Sequence, residues 1–380
     1  MIRLVGVTKR FDDGTVAVDS LDLDVGAGEL CMLVGPSGSG KTTTMRMINR
    51  LIEPTSGRIF LDGRDVTHVD AVELRRHIGY VIQHVGLFPH LTVADNIGTV
   101  PRLLGWDRTR VRLRTRELLQ LVGLDPDRHA RRYPAELSGG QRQRAGVARA
   151  LAADPPVLLM DEPFGAIDPI TRARLQGEFL RLQHELRKTV VFVTHDVEEA
   201  VALGDRIAVL AEGGRLEQYD TPAQLLGAPA TPFVAEFVGA DRGLKRLSVT
   251  HIERGDLERP PVVGPADTLA EARGVLAEAG SRWGVVIDAG GALCGWVGAD
   301  GLGGDGSVDE RAHRMHASVP LSATLKQAFA EMLQHDAGWV AVLDGHRYLG
   351  VLTPDSLHTA LRRSVDRAEG AELEASPTRA

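Results

Sequence analysis

Leu30-Cys31-Met32-Leu33-Val34-Gly35-Pro36-Ser37-Gly38-Ser39-Gly40-Lys41-Thr42-Thr43 decides the fold class of this chain. Leu30–Val34 is an apolar run that reads as a buried strand, and the turn after it has the spacing Gly-x-x-x-x-Gly-Lys-Thr. The glycines let backbone N–H groups turn inward around a phosphate. Lys41 adds a point charge, and the Thr42 hydroxyl can ligate Mg2+. Residues from Thr42 to Leu51 read as a helix leaving the loop, its positive end facing the phosphates. Strand, glycine loop and helix in this order describe a phosphate cradle rather than an ordinary Gly/Ser turn.

Working outward, 380 residues are enough for two or three domains, with the apolar and charged fractions of an ordinary globular protein. No apolar run approaches the length of about 18 residues needed to cross a bilayer. The segment Met1–Arg10 lacks the basic, apolar and cleavage regions of a signal peptide. Cys31 and Cys294 are far apart and outside any C-x-x-C spacing, which speaks against a disulfide framework or a zinc site and points to a reducing cytosol. A formal net charge of −7 speaks against bulk attraction to nucleic acid.

Residues 1–240 alternate short apolar strands with helical stretches, the pattern of an α/β domain. Candidate strands are Arg58–Leu61, Ile78–Ile82, Val157–Met160, Val190–Val193 and Arg206–Leu210. The last three are near-continuous apolar runs, as in parallel strands covered on both faces. A helical, Arg-rich insertion over about residues 95–150 includes the helix expected at Asp107–Val122. Residues 241–247 are polar and basic and read as a linker. Beyond them lies an internal repeat at constant offset, about 248–305 and 306–363. Thr268-Leu269 matches Thr324-Leu325, Trp283 matches Trp339, and Val285–Asp288 matches Ala341–Asp344. After one deletion, Gly295, Asp300 and Leu302 match Gly350, Asp355 and Leu357. Each copy reads as helix, strand, turn, strand, helix, too small to bury a core well alone, so the copies are expected to pair. Composition predicts a disordered tail over 364–380.

Four more motifs stand in the first domain. Leu137-Ser138-Gly139-Gly140-Gln141 reads by itself as a helix cap whose glycines permit close backbone approach. Val157–Met160 ends in Asp161-Glu162; successive residues of a strand point opposite ways, so the two acids should serve different tasks. Thr189–Val193 leads to His195, and Tyr80-Val81-Ile82 leads to Gln83.

Taken together, residues 1–240 resemble an ATP-binding cassette (ABC) ATPase subunit of the importer type. The resemblance implies a P-loop NTPase fold, with a mixed core sheet and a helical subdomain that carries the signature Leu-Ser-Gly-Gly-Gln. It also implies head-to-tail pairing of two copies. ATP would lie between Gly35–Thr43 of one copy and Ser138, Gly139, Gly140 and Gln141 of the other. By the same resemblance Thr42, Asp161 and Gln83 serve Mg2+, Glu162 polarises the attacking water, His195 contacts the γ-phosphate, and Lys41 supports the phosphates. Asp168 in Phe164–Pro169 belongs to a loop coupling the two sites, and Phe11 lies where the family stacks an aromatic ring under adenine. A core role for Phe11 remains the alternative.

The apolar, turn-rich stretch Gln83–Val93 either folds inward or meets a partner. In importer ATPases this region and the helical subdomain form a groove for a permease coupling helix. The wording of this stretch, and of Asp161–Arg172, is similar to subunits that import glycine betaine and choline. The terminal repeat resembles a tandem CBS (α+β) module. Its elements Gly350–Asp355 and Gly295–Asp300 depart from the nucleotide-binding pattern: Asp355 follows Thr353 by two residues rather than three, and Gly298 replaces the hydroxyl. Nucleotide binding, ionic-strength sensing and a structural role all stay open. The resemblance implies an ATPase on the cytoplasmic face of the membrane, energising osmoprotectant uptake through permease subunits with an extracytoplasmic binding protein. The alternatives are an importer of another small solute, such as an amino acid, and a soluble ABC ATPase.

Overall fold

The computed structural model describes residues 1–82, 86–165 and 167–363. They form two compact units, residues 1–225 with 229–239, and residues 226–228 with 240 onward.

In the first unit β1 (Ile2–Arg10) and β2 (Val16–Val25) pair antiparallel. Buried Leu21, Leu23 and Val25 alternate with exposed Asp22 and Asp24, so one face meets the core and the other meets water. β3 (Leu30–Val34) runs into α1 (Lys41–Ile48). β4 (Ser56–Leu61) and β5 (Arg64–Asp65) complete a four-stranded sheet in the order β2-β1-β4-β5.

After α2 (Ala71–Arg76) and β6 (Ile78–Val81) the chain turns helical: α3 (Val93–Ile97), α4 (Thr99–Leu103), α5 (Arg108–Leu121), α6 (Pro126–His129) and α7 (Gly139–Leu151). Asp107 stands outside the expected helix as its cap, its carboxylate accepting from the N–H groups of Thr109 and Arg110.

β7 (Val157–Asp161), α8 (Pro169–Leu186), β8 (Thr189–Val193), α9 (Val197–Leu203), β9 (Arg206–Leu210) and β10 (Leu216–Asp220) build the second sheet. Its order is β10-β9-β3-β8-β7-β6, parallel except at the β10 edge. Every residue of β3 and β8 is buried, which is why these strands read as unbroken apolar runs. The parallel register brings the carboxyl ends of β3, β8 and β7 side by side, where ligands of such sheets collect. α10 (Pro222–Gly227) and α11 (Pro232–Val238) follow.

The second unit corrects one expectation at once. Much of the stretch 241–247, read as a linker, lies in helix α12 (Arg242–Val249). Leu247 joins an apolar core, and the buried Arg246 donates through Nη2 to the Leu361 carbonyl at 3.2 Å. Polar composition concealed an amphipathic helix whose long basic stems can be buried.

β11 (Val262–Val263), α13 (Leu269–Glu278), β12 (Trp283–Ile287) and β13 (Leu293–Gly298) make the first copy of the repeat. The second copy is β14 (Ser318–Pro320), α14 (Leu325–Gln334), β15 (Val340–Asp344) and β16 (Arg347–Leu352), with residues 354–363 helical. Matched Thr268 and Thr324 cap α13 and α14 with capping boxes to Glu271 and Gln327. Matched Trp283 and Trp339 stack on each other, ring centroids 4.6 Å apart. The first copy lacks the expected closing helix: only a 3-10 turn, Ala299–Gly301, forms there. Gly298, Gly301, Gly303, Gly304 and Gly306 raise the backbone entropy cost of continuing it. The tail expected over 364–380 lies outside the described residues.

Phe192 on β8 is fully buried, its ring centroid 5.8 Å from that of Phe164 and 6.1 Å from that of Phe179. Phe192→Ala should destabilise the first unit by about 3–5 kcal/mol. Urea unfolding followed by circular dichroism checks this as a lower midpoint.

Candidate active site

The loop between β3 and α1 needs its glycines for two measurable reasons. Gly40 has φ +77°, and a Cβ there would stand 2.3 Å from the Ala17 carbonyl oxygen. Gly35 has φ +150°, and its Cβ would meet the Leu210 carbonyl oxygen at 2.2 Å. Ser39 and Lys41 are buried, Pro36, Thr42 and Thr43 are half-buried, and Ser37 and Gly38 face solvent. The Lys41 ammonium donates to the carbonyls of Gly35 (2.8 Å) and Pro36 (2.7 Å) and to Ser39 Oγ (3.2 Å). Burial pulls its pKa below the usual lysine range, while Glu162 and Asp161 push the other way.

Thr42 Oγ1 donates to Asp161 Oδ1 at 3.2 Å. Burial pushes the Asp161 carboxyl above its ordinary pKa, against the Thr42 hydrogen bond. Glu162 goes elsewhere, though not by strand alternation, because it lies one residue past the end of β7. Its backbone adopts φ +44°, a left-handed conformation that costs a non-glycine residue about 1–3 kcal/mol. Its N–H donates to the Val193 carbonyl at 3.0 Å, which anchors the turn to the end of β8. The carboxylate lies 3.2 Å from His195 Nδ1. Lys41, Thr42, Asp161, Glu162 and His195 thus gather at the ends of three adjacent strands.

A divalent cation, implied by the resemblance, fits the Thr42–Asp161 pair. The pair offers two hard oxygens, one of them on a carboxylate whose charge burial disfavours. Among the described residues no three or more His, Cys, Asp or Glu side chains gather as a metal cage. Mg2+ suits this arrangement, since it takes one or two protein ligands and completes its shell with phosphate and water.

The other expected residues lie apart from this cluster. Ser138 caps α7, and its capping box with Gln141 satisfies two helix-start N–H groups. Ser138 and Gly139 are exposed, and nothing lies within 4 Å of a Cβ placed on Gly139. Among the described residues no hydrogen bond joins this segment to the glycine loop. Asp168 caps α8 by accepting from Thr171 N at 3.0 Å. Phe11 is 41% exposed with the Lys9 ammonium 5.3 Å above its ring, so it is not a core residue. Gln83 lies outside the described residues, as does Val85.

Of the apolar stretch after Gln83, Phe88 is exposed and Leu87 and Leu91 are half-buried. Asn96, fully buried, holds the segment by accepting from Phe88 N at 2.7 Å and donating to the carbonyls of Phe88 and Leu91 at 3.1 Å each. On the helical subdomain a groove of about 1220 Å3 is lined by Arg102, Arg108, Arg112, Arg116 and Arg131 around Trp106. Sequence reading missed Arg172 and Asp196. They flank motifs it did find, but nothing in their spacing marks them as partners.

Comparisons with known proteins show the family. The ABC transporter family profile matches residues 18–165, and the CBS domain profile matches residues 314–363. The chain is 45% identical over 364 residues to the osmoprotectant import ATP-binding protein OsmV of Salmonella typhimurium, covering 93% of this chain and 94% of that protein. It is 46% identical to the glycine betaine/carnitine/choline transport ATP-binding protein OpuCA of Bacillus subtilis, covering 94% and 95%. Among solved structures it is similar to the dimeric bacterial ABC transporter cassette MJ0796, with TM-score 0.53 and 37% identity over 58% of this chain and 99% of that one. That cassette is also solved in a post-hydrolysis state bound to ADP and Pi. The chain belongs to the family of ABC transporter ATP-binding subunits and is an ATPase.

Gly40→Ala should abolish nucleotide binding, since the loop must move off the Ala17 carbonyl to admit the methyl group. Titration with a fluorescent ATP analogue should show no saturable binding, alongside a lowered thermal midpoint.

Proposed function

We propose that this chain is the ATP-hydrolysing subunit of an importer for glycine betaine- or choline-type osmoprotectants, working as a pair at the cytoplasmic face of the membrane. One observation supports the hydrolytic part most: Lys41, the Thr42–Asp161 pair and the Glu162–His195 pair occupy adjoining strand ends, while Ser138 and Gly139 stand exposed and free to face another copy.

In this reading the backbone N–H groups of residues 35–43 and the Lys41 ammonium bind the β- and γ-phosphates. Thr42 and Asp161, with Gln83 as a further ligand, would hold Mg2+, which would supply neutralisation of phosphate charge. The Glu162 carboxylate accepts a hydrogen bond from water and aims its lone pair at phosphorus. His195 stands beside Glu162 and donates to a γ-phosphate oxygen. Phe11 offers its exposed face to adenine. Ser138 and the N–H groups of Gly139, Gly140 and Gln141 complete the shell from the second copy, and Asp168 lies at the seam. Two copies close on ATP and separate after hydrolysis.

Permease contact follows from a second group of residues. Exposed Phe88 and the groove around Trp106 offer an apolar floor with an arginine rim. No helix among the described residues is long and apolar enough to cross a membrane. Solute passage belongs, in this reading, to permease subunits fed by an extracytoplasmic binding protein, as the transport names of the relatives support. The solute class rests on the relatives, which are named for osmoprotectant, betaine, carnitine and choline transport. The CBS-containing second unit is a regulatory module, responding to nucleotide or ionic strength.

Glu162→Gln should bind ATP normally and lose turnover by more than about a hundredfold, read by phosphate release; ordinary rates in this variant would overturn the role of Glu162. Truncation before residue 240, ahead of α12, should keep basal ATPase activity in the reconstituted complex and change its response to salt. Proteoliposome uptake comparing betaine, choline and proline tests the solute class; uptake of none of them, with another solute accumulated, would overturn it.

A further inference from the structure

Arg172 sits at an unfavourable place for a cation. It lies in the first turn of α8, where the helix dipole disfavours positive charge, and its Nε is buried without a hydrogen-bond partner. Two contacts offset this. Nη2 donates to the Ile167 carbonyl at 3.0 Å, and Nη1 stands 3.9 Å from Asp196 Oδ2. The first contact braces the loop that runs from Glu162 to α8. The second reaches the residue directly after His195.

Asp196 is itself tightly held. Its Oδ1 accepts from the N–H groups of Glu198 (2.9 Å) and Glu199 (3.2 Å), capping α9, and its own N–H donates to Thr194 Oγ1 at 3.0 Å. The residues on both sides of His195 are therefore tied to each other. The imidazole between them is two-thirds exposed, with Glu162 beside it at 3.2 Å. Arg172, Glu162, His195 and Asp196 also line one small cavity of about 30 Å3. A guanidinium can brace a carbonyl and a carboxylate at once through its planar fork, which an ammonium cannot.

We propose that Arg172 and Asp196 are positioning residues for hydrolysis, setting the distance between the Glu162 carboxylate and the His195 imidazole by bracing the two loops that carry them. This rests on the hydrolytic roles given above to Glu162 and His195. It assigns neither Arg172 nor Asp196 a contact with ATP.

A double-mutant cycle on the full chain tests it. Asp196→Asn removes the charge yet keeps the helix cap, because asparagine caps as well as aspartate. Arg172→Gln removes the fork. Each single variant should lower kcat about tenfold, within what a small misplacement costs, with KM for ATP, nucleotide affinity and thermal midpoint unchanged. The double variant should be no slower than the slower single variant, because both break one brace. Arg172→Lys should recover part of kcat by restoring the charge opposite Asp196. Wild-type kcat in either single variant would overturn the proposal. So would multiplied losses in the double variant, or losses that track a fall in thermal midpoint or ATP affinity. Glu162→Gln measured alongside separates the two claims: if it is inactive while the Arg172 and Asp196 variants run normally, only the positioning role falls.

Discussion

Parallel pairing of β3, β8 and β7 is the constraint on which this site depends. The register places Leu33 beside Val193 and Val193 beside Asp161, so three chain segments remote in sequence leave the sheet at one edge. None of the three could supply hydrolysis alone. The glycine loop offers N–H groups and an ammonium, β7 supplies two carboxylates, and β8 supplies an imidazole. The apolar runs that make these strands legible also bury them completely, which fixes their ends against slippage. Glu162, just past the end of β7, carries strain: its left-handed backbone turns its carboxylate away from Asp161 and toward His195.

Signature residues complete the logic by their position. Ser138 closes a capping box, so its segment is a finished helix start and not a loop awaiting order. Gly139 presents bare backbone to solvent. A helix N-terminus with exposed N–H groups favours an anion, and the glycine loop of the same chain is not joined to it by any hydrogen bond among the described residues. In the proposed pairing, a second copy supplies what geometry within one copy does not.

Sequence alone carried the parallel strands of the second sheet, though not its antiparallel edge strand β10, because buried parallel strands announce themselves as apolar runs, as Leu30–Val34 and Val190–Val193 do. It missed the sheet of β1, β2, β4 and β5 except for Arg58–Leu61, although the alternation of Leu21, Leu23 and Val25 with aspartates was there to be read. It misread residues 241–247 because Lys and Arg hide amphipathicity when their stems are buried, as Arg246 shows. It expected a closing helix in the first repeat copy, where the closely spaced glycines from Gly298 to Gly306 disfavour one. The glycine loop was legible because its spacing is dictated by phosphate chemistry, and Asp161, Glu162 and His195 stood out as polar residues at the ends of apolar strands. Arg172 and Asp196 were not, since a brace between two loops leaves no periodic trace and only the folded chain brings them together.

The central claim is that nucleotide is held at a seam between two copies. Mass measurement of the full-length Glu162→Gln variant, with and without Mg2+ and ATP, tests it most directly. The account predicts a chain of 41.0 kDa without nucleotide and a doubled mass, carrying two ATP molecules, when both are added. A single-copy mass at saturating Mg2+ and ATP would contradict it.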